Sequence, residues 1–77
     1  MKLAELVSIL DRYGFALKGY QRFKRGDRLT IQLPSGTIIQ LDLRVPLERA
    51  DKFVLMRWIL GRDLYKKFLE EEGLKWM

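Results

Sequence analysis

The chain has 77 residues, 48% hydrophobic and 32% charged, and its 15 Lys and Arg against 10 Asp and Glu give a formal charge of +5. This size and composition predict one compact domain over residues 1–77, and they exclude a disordered tail or a separate catalytic domain. Because the chain contains no Cys and no His, it cannot build a disulfide framework, a zinc-finger site, a thiol nucleophile or a histidine general base. We expect no metal and no cofactor.

The N-terminal residues predict an amphipathic helix from about residue 2 to 13. Leu3, Leu6, Val7 and Leu10 fall at helical spacing, and Gly14 is placed to end the helix. The segment lacks the apolar core and cleavage site of a signal peptide, so we expect a cytoplasmic protein with no membrane segment. Absence of Asn beside many Lys, Arg and Glu residues is a weak thermophile signal.

The next segment alternates with period 2, which predicts a half-buried strand. One face is predicted to point inward and carries Phe15, Leu17, Gly19, Gln21 and Phe23. The other is predicted to point outward and carries Ala16, Lys18, Tyr20, Arg22 and Lys24.

Two turns divide the sheet region into a predicted three-stranded antiparallel meander. Gly26-Asp27 fits a tight hairpin turn with Gly at its first central position, and Pro34-Ser35-Gly36 fits a type I turn. The second strand alternates over residues 29–33 and the third over residues 38–45, where one face is aliphatic. Thr30, Gln32, Gln40 and Arg44 are predicted to share the outer face with the basic residues of strand one.

A second helical region is predicted from about Glu48, with a stop at Gly61 and Asp63 as N-cap of a final helix. Its run FVLMRWIL is apolar at seven of eight positions, which covers more than one helical face. Part of this run, with Val54, Arg57 and Trp58, therefore either forms an interface with a partner or a second copy, or packs beneath the final helix. Trp76, near the end of the given sequence, is either a further exposed anchor or part of a frayed end.

The predicted order is α-β-β-β-α-α, an α+β domain whose helices pack on one face of the sheet. The other face is left to solvent, and the basic surplus is concentrated on strand one. Between residues 18 and 28 the chain carries five cations and one acid, Asp27. Cations bind phosphates, and a Tyr ring stacks on unpaired bases, so the pattern favours RNA or single-stranded DNA. The predicted contacts are Lys18, Tyr20, Arg22, Lys24, Arg25, Arg28 and Arg44. The alternative is that these charges only protect an edge strand from aggregation.

Three segments, taken in order, resemble the HicA family of toxin RNases. GDRLTIQLPSGTIIQL (residues 26–41) is similar to the family's strand, Pro-x-Gly turn and β-branched strand. LVSILDRYGFAL (residues 6–17) is similar to its first helix, and LMRWILGRDLYKKFLEE (residues 55–71) to its closing helices.

The resemblance implies a double-stranded-RNA-binding-domain-like fold, RNA binding and cleavage, and neutralisation by a HicB antitoxin. It also places the family's catalytic His opposite Arg28, which cannot shuttle a proton. The Lys cluster with which such domains hold duplex RNA corresponds to ERADK (residues 48–52), of mixed charge. We therefore expect a non-enzymatic protein that binds nucleic acid other than duplex RNA, or alternatively a protein-interaction module that docks through the second helix or a sheet edge. A third hypothesis is residual nuclease activity through Arg28, Lys24 and Tyr20.

Overall fold

The structure is a computed structural model that describes residues 1–73; Trp76 lies outside them. In chain order it contains helix α1 (Leu3–Arg12), strands β1 (Ala16–Phe23), β2 (Gly26–Gln32) and β3 (Ile38–Asp42), a 3-10 turn (Leu47–Arg49), and helices α2 (Lys52–Leu60) and α3 (Arg62–Glu71). The strands form one antiparallel sheet in the order β1-β2-β3. The predicted α+β class and the order α-β-β-β-α-α are confirmed.

The hydrophobic core lies between the helices and one face of the sheet. The central strand contributes Leu29 and Ile31, both fully buried. The helices supply most of the remainder, with Leu6, Ile9, Leu10, Leu55, Met56, Ile59, Leu60 and Phe68. Aromatic rings pack against one another here: the ring of Phe68 is stacked with that of Tyr65, 6.3 Å away, and is tilted by 50° to that of Phe53, 5.8 Å away. The face of the sheet turned away from the helices is the solvent side.

Helix α1 buries a face slightly different from the predicted one. Leu6, Ile9 and Leu10 are buried, whereas Leu3 and Val7 are partly exposed. Gly14 ends the helix as predicted, with a φ of +83° that favours glycine, and the chain then enters β1.

Helix α2 begins later than predicted. Residues around Glu48 form the 3-10 turn, and the chain is extended at Ala50 before the helix starts at Lys52. Asp51 is the N-cap, because its carboxylate accepts hydrogen bonds from the backbone N–H groups of Phe53 (2.9 Å) and Val54 (3.1 Å).

The boundary between α2 and α3 lies at Gly61, whose φ is +81°. The predicted stop at Gly61 is therefore confirmed. Asp63 as N-cap was wrong, because α3 starts at Arg62 and Asp63 already lies in its first turn, where a carboxylate still interacts favourably with the helix dipole.

The acidic residues at the end of α3 pair with the other helices. Lys52 reaches both Glu72 (2.9 Å) and Glu5 (3.6 Å), and so connects all three helical segments. Arg12 and the hydroxyl of Tyr13 both contact Glu71. Within residues 1–73, none of the helices has the length and apolar character needed to cross a membrane.

Candidate nucleic-acid interface

A β-bulge in β1 decides which hairpin side chains face solvent. Leu17 pairs with Ile31, but the next paired residue, Gly19, lies opposite Thr30, so that Lys18 is an extra residue without a partner. Because side chains alternate with period 2, one inserted residue exchanges the two faces beyond it.

The predicted outward positions of Tyr20 and Arg22 were therefore wrong. Tyr20 lies opposite Leu29 and Arg22 opposite Asp27, and both partners belong to the buried face of β2. Lys24 is not on a strand face either, since the two-residue hairpin turn consists of Lys24 and Arg25.

Asp27 organises a polar network on this inner face. Its side chain is only 1% exposed, and its carboxylate accepts hydrogen bonds from the Tyr20 hydroxyl (2.6 Å), from the Leu47 backbone N–H (2.7 Å) and from Arg22 Nε (3.1 Å). Arg22 also reaches both oxygens of Glu48, at 2.6 and 2.7 Å. The network thus connects the hairpin to the 3-10 turn, which explains why a charged residue can be buried here.

The pKa values in the network reflect these contacts. The hydrogen bond from Arg22 lowers the pKa of Asp27 from 3.8 to about 2, although burial opposes the shift. The hydrogen bond to Asp27 raises the pKa of Tyr20. Arg22 likewise lowers the pKa of Glu48. All four side chains are joined in one network, which gives Tyr20 and Arg22 a role in the fold. Their predicted contact with nucleic acid stays a prediction.

On β1, the outer face of the sheet carries a set of side chains different from the predicted one. Opposite pairs on this face are Gln21 with Arg28, Thr30 with Gln40, and Gln32 with Ile38. The predicted outward positions of Thr30, Gln32 and Gln40 agree with this register. Most of the face is uncharged and polar, with one charged pair at the hairpin end.

That end presents an aromatic ring covered by a guanidinium group. Phe23, predicted to point inward, is 50% exposed, and the guanidinium carbon of Arg28 lies 5.1 Å from the centre of its ring. Arg28 Nε also donates to Asp42 at 2.7 Å across the β2–β3 pair. This bond raises the pKa of Arg28 and lowers that of Asp42, so both groups stay charged at neutral pH.

The backbone packs closely beside this ring. A methyl group on Gly26 would lie 1.9 Å from the carbonyl oxygen of Leu43, so only glycine fits. The predicted hairpin turn centred on Gly26-Asp27 was therefore wrong, because Gly26 is required by the approach of Leu43 and belongs to β2. The same approach brings the residue after Leu43, Arg44, beside the hairpin.

An open depression of about 810 Å³ results at the tip of the hairpin, and we call it the tip site. Its lining includes Phe23, Arg25, Arg28, Asp42 and Arg44. Three of the predicted contact residues, Arg25, Arg28 and Arg44, are thus brought together. Lys24 adjoins them in the turn, whereas Lys18 lies on the exposed bulge.

The predicted set missed Phe23 and Asp27. The alternation of apolar residues matched a regular strand with Phe23 on the inner face, so it gave no signal that Phe23 is exposed. Asp27 did have a signal, because it is the lone acid in a basic segment and is followed by a buried strand. A lone carboxylate of this kind suggests a partner within the fold, and in the structure that partner is Arg22.

The side chains predicted for a partner interface are on the surface. Trp58 is 60% exposed, and Val54 and Arg57 on the same helix are also exposed. Beside them a groove of about 300 Å³ separates α2 from the segment that follows β3. Packing beneath the final helix is thus not the role of Trp58, while the occupant of this surface stays a prediction.

Comparison of the chain with protein-family models, with curated proteins and with solved structures gives no match. The resemblance to HicA toxins is not tested by these comparisons and stays a prediction. Among residues 1–73 no group of acidic side chains is arranged to hold a metal ion.

Proposed function

We propose that this protein binds RNA or single-stranded DNA at the tip site and does so without cleaving it. The observation that carries the proposal is the half-exposed ring of Phe23, which lies beneath Arg28 in one depression with Arg25 and Arg44. A half-exposed ring can stack on an unpaired base, and the arginines can hold the flanking phosphates. The proposed location is the cytoplasm, where RNA is abundant.

The charge distribution supports a polyanionic ligand. Within residues 1–73, six acidic side chains are in ion pairs, namely Glu5, Asp27, Asp42, Glu48, Glu71 and Glu72. Lys24, Arg25 and Arg44 are in none of the ion pairs of that part of the chain. These three cations of the hairpin tip are therefore available to phosphates.

The uncharged polar surface next to the tip site suits a strand that continues across the sheet. Thr30 and Gln40 lie directly opposite each other there, and Gln21 lies beside Arg28. Their hydroxyl and amide groups can donate to and accept from base edges or 2′-hydroxyls.

The proposed function does not include catalysis because of the ionisable side chains at the tip site. Arg28 stays protonated at any workable pH, and Asp42 is held by it in an ion pair. Asp27 lines the depression, but its carboxylate already accepts hydrogen bonds from Tyr20, Arg22 and the Leu47 N–H. Proton transfer at a phosphodiester would fall to water, so we expect no rapid cleavage.

A salt titration of filter binding tests the proposal with single-stranded RNA, single-stranded DNA and duplex DNA of matched length. If three or four cations neutralise phosphates, the logarithm of the affinity for single strands should fall with a slope of roughly −2 to −3 against the logarithm of salt concentration. Arg25→Gln should make that slope shallower by about 0.7. Lys66→Gln, which removes an exposed charge on α3, is the control and should change affinity less.

A second pair of variants tests the stacking ring at constant charge. Phe23→Ala should weaken single-strand binding by about 1–3 kcal/mol with little loss of stability. Tyr20→Phe removes the hydroxyl bound to Asp27 and should instead lower stability, while leaving the affinity of the folded protein unchanged. Binding that is insensitive to salt, or an affinity unaffected by Phe23→Ala, would reject the tip site.

A further inference from the structure

The tip site continues into the groove beside α2. Three consecutive residues, Asp42, Leu43 and Arg44, line both depressions. The two sites therefore meet along the end of β3, and Arg44 lines both the depression that contains Phe23 and the groove that contains Trp58.

The groove offers the same two kinds of contact as the tip site. Trp58, with 60% of its surface exposed, gives an indole face, and the partly exposed Val45 and Val54 give an apolar floor. Arg44 and Arg49 line the groove, and within residues 1–73 neither is in an ion pair.

The carboxylates of the groove are already engaged. Asp42 is bound to Arg28, and Asp51 caps the N-terminus of α2. Phosphates that pass Arg44 and Arg49 therefore meet no carboxylate without a partner in the groove lining. A second copy of the chain fits less well, because a two-fold contact would bring these arginines near their own copies. The three exposed apolar side chains also offer far less than the roughly 800 Å² per partner of a standard interface.

We propose that one single strand of nucleic acid occupies both depressions, with a base on Phe23, phosphates along Arg44 and a second base on Trp58. This inference rests on the proposed function and narrows its ligand to unpaired strands, because both rings need bases that are free of a complementary strand. It also predicts a minimum length, since a short oligonucleotide can fill the tip site alone.

The test uses the fluorescence of Trp58 in the full chain. The chain has two tryptophans, so Trp76→Phe leaves Trp58 as the single indole. This protein is titrated with oligothymidylates of about 4, 8 and 16 nucleotides and with a duplex of matched length. Long single strands should quench Trp58, whereas the shortest strand and the duplex should bind with little quenching.

Affinity measurements on variants complete the test. Trp58→Ala should weaken binding of the longest strand about tenfold and leave the shortest unchanged, and Trp58→Phe should restore most of the loss. Leu3→Ala, a truncation of another partly exposed apolar side chain, is the control and should change neither.

The outcomes separate the two proposals. If Phe23→Ala and Arg25→Gln weaken every strand but Trp58→Ala weakens none, the tip site stands and the extension is overturned. If no oligonucleotide binds with salt dependence, the proposed function fails and the extension with it. If the protein sediments as a dimer that Trp58→Ala converts to a monomer, with strand affinity unchanged, a second copy occupies the groove and the extension is overturned.

Discussion

Replacement of Asp27 by Asn tests whether the inner face of the hairpin is structural. The exchange keeps the size of the side chain and an oxygen that can accept from the Leu47 N–H, but it removes the charge that holds Arg22 and the Tyr20 hydroxyl. Asp27 is 1% exposed, so water cannot replace the lost contacts. The variant should fold, with a lower free energy of unfolding.

The magnitude follows from the pKa of Asp27, which is lowered from 3.8 to about 2. A shift of this size corresponds to roughly 2 kcal/mol of stability from the ionised carboxylate. Because the folded-state pKa is the lower one, this stability is present above pH 3.8 and is lost as pH falls toward about 2. For a domain this small, 2 kcal/mol is a large part of the total.

Urea unfolding of both proteins at neutral pH, near pH 4 and near pH 2 measures the effect. The difference between wild type and Asp27→Asn should be roughly 2 kcal/mol at neutral pH and should shrink toward zero near pH 2. Subtraction of the free energies of unfolding of the two proteins at each pH removes most of the acid sensitivity of Glu48 and Asp42, since both groups are present in each protein. Asp11→Asn, at an exposed carboxylate on α1, should change stability by about 0.5 kcal/mol or less.

A difference that stays constant down to pH 2 would refute the reasoning, because ionisation of Asp27 would then not be its source. A variant as stable as the wild type at neutral pH would refute it as well. Affinity for single strands, measured under conditions where the variant is folded, should not fall, since Asp27 supports the hairpin from its buried side.

Three further predictions concern local structure: a close backbone approach, the β-bulge and a helix cap. Gly26→Ala should cost about 1–3 kcal/mol in urea unfolding, because its methyl group would meet the carbonyl oxygen of Leu43; unchanged stability would contradict that close approach. Deletion of Lys18 should leave a folded protein, since it removes only the bulge, whereas deletion of Gln21 should unfold the protein by turning the inner side chains outward. Circular dichroism and thermal melting compare the two variants, and equal losses of stability would argue against the bulge. Asp51→Ala should cost about 0.5–2 kcal/mol through loss of the cap of α2, and a neutral effect in the same melts would show that the cap is unimportant.

The sequence predicted the architecture well because its strongest signals are local. Helical spacing located α1, although with a slightly different buried face, and Gly14 and Gly61 ended helices as expected. Alternation identified β2 and β3 with the correct inner and outer faces as far as Asp42. The predicted continuation of the third strand to an inward Val45 was wrong, because β3 ends at Asp42 and Val45 is exposed. These features depend on neighbouring residues, which a sequence displays directly.

The candidate site was predicted less well because it depends on one inserted residue. Phe15 through Phe23 alternate so regularly that a continuous strand was the simplest interpretation, and it directed Tyr20 outward. The bulge arises because burial of Tyr20 and the partnering of Asp27 outweigh the regular alternation that would bury Phe23. Likewise, Gly26 suggested a turn by its residue type. In the structure the position requires glycine because the carbonyl oxygen of Leu43, distant in sequence, lies beside it, and no local pattern reveals this contact.

The bulge at Lys18 also allows two side-chain orientations that a regular strand cannot provide together. On its N-terminal side, Leu17 must face the core with the helices; on its C-terminal side, Phe23 is free to face solvent although it lies an even number of residues away. The presence of the bulge, rather than the chemistry of either ring, sets which ring the hairpin displays. If the same residues paired with β2 without the bulge, Tyr20 would face solvent and Phe23 would face the core, with no substitution in the chain. The one residue left without a partner therefore decides whether the hairpin displays a phenol or an unsubstituted ring.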